Sequence, residues 1–255
     1  MILSNSRIKM FKSCRRKYEL HYVEGLSPAH PAEALETGKN YHQLLEAIYT
    51  GHEDEVIHGA EFTKERAMAM AYYKFIFPQF KVVEAEKWME YVIEGSDKIV
   101  GVVDAIAEDG RIVEHKTCGH PITEQYEYSL QWDEQLLTYM LMTGQRKAWY
   151  TVCRKPTIRQ KQGESDEEFF ARMLEWYEDD TDSKIRLLEV QRTDEEVEKF
   201  RCELISMCST MKKAEAAKEF YKNQCACELY GRRCEYSSVC LHSDPNQQYI
   251  DFVKM

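Results

Sequence analysis

The chain has 255 residues, of which 44% are hydrophobic and 31% are charged, so it can bury a core and keep a hydrated surface. It contains no run of about 18 apolar residues, which excludes a membrane-spanning helix, and its polar first residues lack the apolar segment of a secretory signal. We therefore expect a cytoplasmic protein with no membrane partner. The net charge of −10 argues against a dedicated nucleic-acid-binding surface, although basic side chains cluster locally in residues 7–17 and 212–233.

Hydrophobic periodicity and capping signals predict helices and strands in chain order. The predicted helices cover residues 4–22, 36–49, 61–77, 128–143, 164–177 and 193–221. The predicted strands cover residues 82–93, 98–107, 111–117, 147–153 and 185–191. Ser4 or Asn5 is the expected cap of the first helix, and cysteine-rich coil is expected after the last one. This order predicts an α/β fold with a mixed core wrapped by helices.

The most informative pattern lies on two neighbouring predicted strands. Glu114 and Lys116 are two residues apart on an apolar strand, so their side chains point to the same face. A three-residue loop over 108–110, with its glycine in the left-handed conformation, would place Asp104 opposite Glu114, whereas a two-residue turn would place Asp104 opposite His115. Two carboxylates and a lysine on one face can bind a divalent metal and orient a water molecule, so the chemistry favours the longer loop. The alternative is a surface hairpin with charged cross-strand pairs.

A second polar pattern follows the helix predicted over 36–49. Gly38, His42 and Glu46 are four residues apart and therefore share one face of this helix. His42 could face the sheet and offer a neutral imidazole to a metal, although a single histidine on a helix is more often structural. Glu46 is expected at the surface or behind the ligands.

A third polar pattern follows the helix predicted over 128–143. Gln131, Gln135 and Tyr139 form a stripe at intervals of four residues, and their polar groups could bind a phosphate or the attacking water. The alternative is a partly buried amphipathic helix without a functional role.

Cysteine is unusually frequent near the end of the chain, where four of the nine cysteines fall within 16 residues. Disulfides are disfavoured without a secretory signal, so this group suggests a metal or cluster site. Four thiolates can hold a [4Fe–4S] cluster or a zinc ion, and spacing alone does not choose between them. The remaining cysteines are predicted to be buried apolar residues: Cys118, Cys153, Cys202 and Cys208.

Taken in order, five motifs resemble those of the RecB-like branch of the PD-(D/E)xK nucleases over almost the whole chain. These motifs are Ser6-x4-Phe11-x2-Cys14-x2-Lys17-Tyr18, Gly38-x3-His42-x3-Glu46, Asp104 with Glu114-His115-Lys116, Gln135-x3-Tyr139, and Cys227-x6-Cys234-x5-Cys240. The resemblance implies one nuclease domain over residues 1–255, with a restriction-endonuclease-like catalytic core over 36–155. It also implies an iron–sulfur clasp between the cluster-binding segments 1–22 and 222–245.

The resemblance also implies roles for individual residues. Asp104 and Glu114 would bind Mg²⁺ or Mn²⁺, His42 would complete one site, and the carbonyl of His115 would contribute. Lys116 would orient the water and stabilise charge on the phosphate. Gln135 and Tyr139 would complete the catalytic set. The implied cluster ligands are Cys14, Cys227, Cys234 and Cys240, with Cys225 as the alternative to Cys227 and iron–sulfur favoured over zinc.

The implied activity is metal-dependent exonucleolytic hydrolysis of DNA, with single-stranded ends preferred, in recombination, repair or CRISPR adaptation. The implied location is the cytosol of a bacterium or a phage-infected host. Two alternatives remain open: a non-catalytic nucleic-acid-binding or assembly subunit that keeps the fold and the cluster, and a zinc-stapled structural protein. The complete set of Asp104, Glu114, Lys116 and His42 argues against the first, because a subunit without activity has no need for it.

Overall fold

The computed structural model describes residues 1–29, 33–229, 231–241 and 252–254. The chain forms two units, which we call terminal and central. The terminal unit contains Met1–Ala32, Glu90–Val100 and Lys199–Met255, and the central unit contains Glu33–Met89 and Gly101–Glu198. The predicted segment 222–245 lies partly outside the described residues, at positions 230 and 242–245. The single nuclease domain over 1–255 and its internal segments stay a prediction.

Helices account for more of the described chain than strands do. In chain order they are α1 Asn5–Ser13, α2 Arg15–Tyr18, α3 Glu33–Tyr49, α4 Glu53–His58, α5 Lys64–Phe75, α6 Glu124–Leu130, α7 Glu134–Thr143, α8 Asp166–Glu178, α9 Asp194–Ala217 and α10 Ser237–Leu241. The predictions missed α4 and α10 and merged α6 with α7. Short helical turns follow α2 at Glu19–Val23 and α5 at Phe77–Gln79.

The strands match the sequence predictions more closely. They are β1 Ile2–Leu3, β2 Leu26–Pro28, β3 Val82–Glu94, β4 Asp97–Ala107, β5 Ile112–Cys118, β6 Lys147–Arg154, β7 Ile185–Gln191, β8 Glu228–Leu229, β9 Arg232–Arg233 and β10 Phe252–Lys254. All five predicted strands are present within a few residues of their expected bounds. The region predicted as cysteine-rich coil instead contains the short β8–β9 hairpin and α10.

The sheet of the central unit has the order β4–β5–β6–β7, and β3 also pairs with β4. β5 is antiparallel to β4 and parallel to β6, while β7 is antiparallel to β6. Parallel neighbours need a long crossover, and α6 and α7 supply it between β5 and β6. The sheet is therefore mixed, as predicted, and the crossover returns α7 to the strand that carries Glu114 and Lys116.

Helices cover both faces of this sheet because successive residues of a strand point to opposite faces. On one face, Tyr150 and Val152 of β6 pack with Leu136 and Met140 of α7. On the other face, Cys153 belongs to a cluster with residues of α3, α5 and α8, including Tyr41, Met68 and Tyr177. The polar residues of β5 thus lie between two apolar layers.

The first predicted helix, over residues 4–22, is interrupted at Cys14, which has extended backbone angles of φ −158° and ψ 117°. Ser4 caps α1, as expected, because its hydroxyl accepts a hydrogen bond from the backbone N–H of Arg7. At the break, the side-chain amide of Asn223 donates to the carbonyl of Ser13 at 2.8 Å. A partner more than two hundred residues away thus satisfies a carbonyl at the end of α1, which local periodicity cannot anticipate.

Among the described residues, no helix combines the length and the apolar character that crossing a membrane requires.

Candidate active site

The β4–β5 hairpin has the three-residue loop that the chemistry favoured. Ala107 donates its backbone N–H to the carbonyl of Arg111 at 2.9 Å, which leaves residues 108–110 as the loop. Gly110 has a φ of 84°, the left-handed conformation that glycine adopts without strain. In the ladder, Ala105 pairs with Val113. The next residues away from the loop are Asp104 on β4 and Glu114 on β5.

Three potential metal ligands converge next to this hairpin. One ligand atom from each of His42, Glu86 and Asp104 lies within 4.8 Å of the others. His42 Nδ1 is 3.5 Å from Asp104 Oδ1, and the backbone N–H of His115 donates to Asp104 Oδ2 at 2.8 Å. Asp104 is only 8% exposed, so its carboxylate is held in place by bonds rather than by water.

The electrostatic interactions in this group favour a negative charge on Asp104 and a positive charge on His42. Burial opposes a charge on Asp104, but its hydrogen bond with His42 and the nearby His115 lower the pKa of the carboxyl overall. Burial likewise opposes a charge on His42, yet Asp104, Glu114 and Glu86 together raise the pKa of its imidazole. The carboxylates around His42 therefore favour a positive charge at this position.

The sequence analysis missed Glu86. This residue lies within β3, but its φ of 48° departs from the extended conformation of a strand. Burial, followed by the proximity of Asp104, raises the pKa of its carboxyl. No motif marked Glu86, because its place in the group depends on a local backbone conformation that an alternating strand pattern does not reveal.

Glu114 lies beside this group and contacts Lys116. Lys116 Nζ donates to Glu114 Oε1 at 2.6 Å, whereas Oε2 is buried without a hydrogen-bond partner among the described residues. Burial, together with the charge of Asp104, raises the pKa of Glu114 to about 8, although Lys116 opposes this effect. A buried carboxylate oxygen without a partner is costly, and a divalent cation would relieve that cost. The donor set therefore fits a hard cation such as Mg²⁺ or Mn²⁺.

The ammonium group of Lys116 is surrounded by oxygen atoms. Besides Glu114, it donates to Gln135 Oε1 at 2.9 Å and lies 3.4 Å from Asp133 Oδ2. Burial alone would lower the pKa of Lys116, but attraction by Glu114 and Asp133 raises it overall. Lys116 consequently keeps its positive charge at neutral pH.

Gln135 and Tyr139 lie beside Lys116, on the first turns of α7. Gln135 Nε2 donates to the hydroxyl of Tyr139 at 2.8 Å, and this hydroxyl donates to the carbonyl of Val102 at 2.6 Å. A glycine on β4 favours this close approach, because a Cβ atom at Gly101 would lie only 3.1 Å from the Tyr139 ring. Tyr139 thus anchors Gln135, and Gln135 contacts Lys116.

The predicted polar stripe does not extend to Gln131. The helix predicted over 128–143 is two helices, and Gln131 is the exposed C-cap residue of α6. The break occurs because Asp133 caps α7, with its Oδ1 accepting the backbone N–H of Gln135 at 2.9 Å. Hydrophobic periodicity runs through the break and therefore concealed it.

Asp133 is a second residue that the sequence analysis missed. Its other oxygen, Oδ2, accepts the hydroxyl of Tyr150 at 2.7 Å and faces Lys116. An aspartate two residues before Gln135 is a common helix-capping signal, so the sequence did contain a clue to this position.

The imidazole of His115 packs edge-on against that of His42, with ring centroids 5.8 Å apart, and both of its nitrogens face other residues. Its Nδ1 lies 2.5 Å from Thr151 Oγ1, and its Nε2 lies 3.1 Å from the hydroxyl of Tyr49. Burial lowers the pKa of His115 to about 4, so the ring is neutral. The backbone N–H of His115 bonds to Asp104, and the metal contact implied for its carbonyl stays a prediction.

Comparison with known proteins agrees with this arrangement. The family model described as the PD-(D/E)XK nuclease superfamily matches residues 2–241. The chain belongs to the PD-(D/E)XK nuclease superfamily. The superfamily part of the predicted resemblance is thereby confirmed, and the RecB-like branch stays a prediction. The assignment of Asp104, Glu114 and Lys116 to the motif that names the superfamily stays a prediction.

Among solved structures, the chain is similar to a phage related exonuclease from Haemophilus somnus 129PT. The two share 16% sequence identity with a TM-score of 0.45, and the match covers 84% of this chain and 82% of that chain. No match was found among curated protein sequences.

The predicted cluster cysteines all belong to the terminal unit. Cys14 Sγ accepts the backbone N–H of Asn223 at 3.4 Å, and Cys234 donates its backbone N–H to the carbonyl of Cys227 at 2.8 Å. Burial raises the pKa of the Cys240 thiol, and the neighbouring Cys14 and Cys227 add to this effect. The four thiols are thus neighbours, but among the described residues no three cysteine sulfurs lie within 4.8 Å of one another. The cluster stays a prediction.

The other cysteines follow the expectation with one exception. None of the nine cysteines, all of which lie among the described residues, forms a disulfide, and Cys118, Cys153 and Cys208 are buried as predicted. Cys202 is exposed on α9, so the prediction that it is a buried apolar residue was wrong. Its position in a helix pattern did not identify which side of the helix faces the core.

Proposed function

We propose that this chain is a metal-dependent deoxyribonuclease that hydrolyses phosphodiester bonds at DNA ends and prefers single strands. One observation carries the proposal: the ligand group of His42, Glu86 and Asp104 adjoins the Glu114–Lys116 pair within the central unit. Membership of the PD-(D/E)XK nuclease superfamily supports nuclease chemistry for this arrangement. The preference for single-stranded ends rests on the resemblance of the motifs alone.

The residues that would hold Mg²⁺ or Mn²⁺ are His42, Glu86, Asp104 and Glu114. Three carboxylates and one imidazole match the oxygen and nitrogen donors that these ions accept. When bound, the cation supplies Lewis-acid stabilisation of the negative charge that develops on the phosphate. The carbonyl of His115 remains a proposed additional donor.

Lys116 is assigned to the phosphate and the attacking water. Its ammonium is fixed by Glu114 and Gln135, so it need not reorganise when charge develops in the transition state. Gln135 has an amide within reach of the same space, and Tyr139 holds that amide in place. Tyr139 therefore acts through Gln135, since its own hydroxyl is bonded to the sheet.

We further propose that Cys14, Cys227, Cys234 and Cys240 bind a [4Fe–4S] cluster within the terminal unit, with Cys225 as the alternative to Cys227. The break at Cys14 places a half-buried thiol between two helices, next to the segment that carries the other cysteines. A cluster there would contribute to folding, because metal binding is linked to folding when the ligands come from distant segments. Processing of DNA in the cytoplasm, during recombination, repair or CRISPR adaptation, is part of the same proposal.

The deciding experiment follows end-labelled single- and double-stranded DNA in Mn²⁺, Mg²⁺ or EDTA. The wild-type chain should shorten single strands from their ends in the presence of either metal, and EDTA should stop the reaction. Lys116→Ala should be inactive, whereas Lys147→Ala, an exposed lysine on the neighbouring strand β6, should keep full activity. DNA binding without any cleavage by the wild type would refute the proposal and favour the non-catalytic subunit.

A further inference from the structure

Two aromatic side chains, Tyr128 and Trp132, stand exposed at the junction of α6 and α7. Tyr128 is 53% exposed and Trp132 is 70% exposed. Their ring centroids are 6.1 Å apart and their planes meet at 77°, so each ring limits the movement of the other. We call them the aromatic pair.

The backbone that carries the aromatic pair is fixed. The N–H groups of Gln131, Trp132 and Asp133 each donate to a carbonyl three residues earlier, at 3.1 to 3.2 Å. The buried guanidinium of Arg192 donates to the carbonyl of Gln131 at 2.8 Å. An exposed tryptophan on such a fixed segment offers contact area without a large loss of conformational entropy on binding.

The segment that carries the aromatic pair leads directly to the catalytic lysine. Trp132 directly precedes Asp133, whose carboxylate lies 3.4 Å from Lys116 Nζ. Adjacent Cα atoms are ~3.8 Å apart, so the backbone of Trp132 adjoins a residue that faces the group assigned to the phosphate.

The surrounding charge selects the kind of occupant. Tyr128 borders a cavity of about 500 Å³ that is also lined by the carboxylates of Glu124, Glu127 and Glu189. Arg186 pairs with Glu127 and Arg111 with Glu189, so these guanidinium groups are already engaged and do not offer a phosphate a free partner. A flat, uncharged group therefore suits the pair, and a nucleobase has a face that stacks on aromatic rings.

We propose that Tyr128 and Trp132 form a stacking platform for an unpaired base next to the scissile phosphodiester. The inference rests on the proposed nuclease function and adds a physical reason for a single-strand preference. Bases within a duplex are already stacked on both sides and cannot lie on Trp132 unless the strands separate. The platform thus acts on binding, whereas Lys116 acts on the chemical step.

The test compares Trp132→Ala and Trp132→Phe in binding and in cleavage. Binding of a fluorescent single-stranded oligonucleotide is measured by anisotropy in a Lys116→Ala background, so that the probe stays intact. We expect Trp132→Ala to weaken binding about 10-fold, the effect of losing one stacked base, and Trp132→Phe to restore most of it. In the otherwise native chain, Trp132→Ala should raise KM by a similar factor and leave kcat nearly unchanged.

A substrate-side control locates the contact. Binding is measured for a series of oligonucleotides, each of which lacks one base near the end. One member of the series should bind the native chain about 10-fold more weakly. The same oligonucleotide should bind no more weakly to Trp132→Ala, because the base and the ring act as one pair. Phe62→Ala, an exposed aromatic of the central unit before α5, should bind like the parent chain. The platform would be overturned if Trp132→Ala bound the oligonucleotides as tightly as the parent chain does. It would also be overturned if the loss were equal on every oligonucleotide and also present in Phe62→Ala. Either result would leave metal-dependent cleavage intact. Failure of the proposed function would instead appear as absence of cleavage by the wild-type chain.

Discussion

The buried carboxylate of Glu114 makes a prediction about the stability of the metal-free protein. Its side chain is 2% exposed, and one of its oxygens has no partner among the described residues. Replacement by glutamine keeps the shape and the hydrogen-bond acceptor for Lys116 but removes the charge. We therefore expect Glu114→Gln to abolish cleavage and, without metal, to stabilise the fold at alkaline pH.

The sign and size follow from proton linkage. The unfolded chain releases the Glu114 proton near the ordinary pKa of 4.5, whereas the folded chain retains it to about 8. Between these values the folded state binds more protons, so its stability falls as pH rises. A difference of about 3.5 in pKa, at ~1.36 kcal/mol each, sets a limit of about 5 kcal/mol. Relaxation around the ionised carboxylate reduces this limit, and we expect a gain of about 2 to 5 kcal/mol above pH 8.

Urea unfolding of metal-free wild type and Glu114→Gln at pH 5 and pH 8.5 measures this difference. The two proteins should be nearly equal at pH 5 and diverge at pH 8.5, and Mn²⁺ should stabilise only the wild type strongly at the higher pH. Glu189→Gln on β7 is the matched control, because that carboxylate is exposed and paired with Arg111. A Glu114→Gln variant that is less stable than wild type at pH 8.5 without metal would refute the reasoning.

Four further predictions concern the chemistry and the cofactors. Lys116→Ala should lower the cleavage rate about 100-fold or more with an unchanged circular dichroism spectrum, and near-normal turnover would reject its assignment. Gln135→Ala should reduce the rate per folded molecule more than the thermal midpoint, measured on one preparation; the opposite result would make its contacts purely structural. Mn²⁺ affinity, measured by calorimetry, should fall as pH decreases through the raised pKa of His42, because protons compete with the metal, and His42→Ala should flatten this dependence. Cys234→Ala should remove the visible absorption of anaerobically purified protein, whereas Cys202→Ala, at an exposed thiol outside the predicted ligands, should retain it.

The sequence predicted those parts of the site that local chemistry determines. The loop over 108–110 follows from a glycine in the left-handed conformation, and the pairing of Ala105 with Val113 follows from the loop. The crossover that returns α7 to the sheet follows from the order of the elements, so Gln135 was expected beside Lys116 and lies there. In each case a few neighbouring residues decide the outcome.

The remaining parts depend on contacts that a linear pattern does not contain. Glu86 joins the metal group because one residue of β3 has a positive φ, and nothing in the surrounding strand pattern signals this. The interruption at Cys14 is associated with a bond from Asn223. Asp133 differs from both, because its capping pattern was readable, but the apolar periodicity on either side suggested one continuous helix.

Strand β4 connects a proposed metal ligand, Asp104, with the bonds that position Lys116 in the proposed active site. Asp104, a proposed metal ligand, and Val102, the anchor of Tyr139, are two residues apart on β4. From Val102 the bonds run through Tyr139 and Gln135 to Lys116. A small shift of β4 would therefore carry the proposed metal ligand and the lysine in the same direction. The distance between Asp104 and Lys116 should therefore change little when β4 moves with the sheet. It should change when α7 tilts relative to this strand.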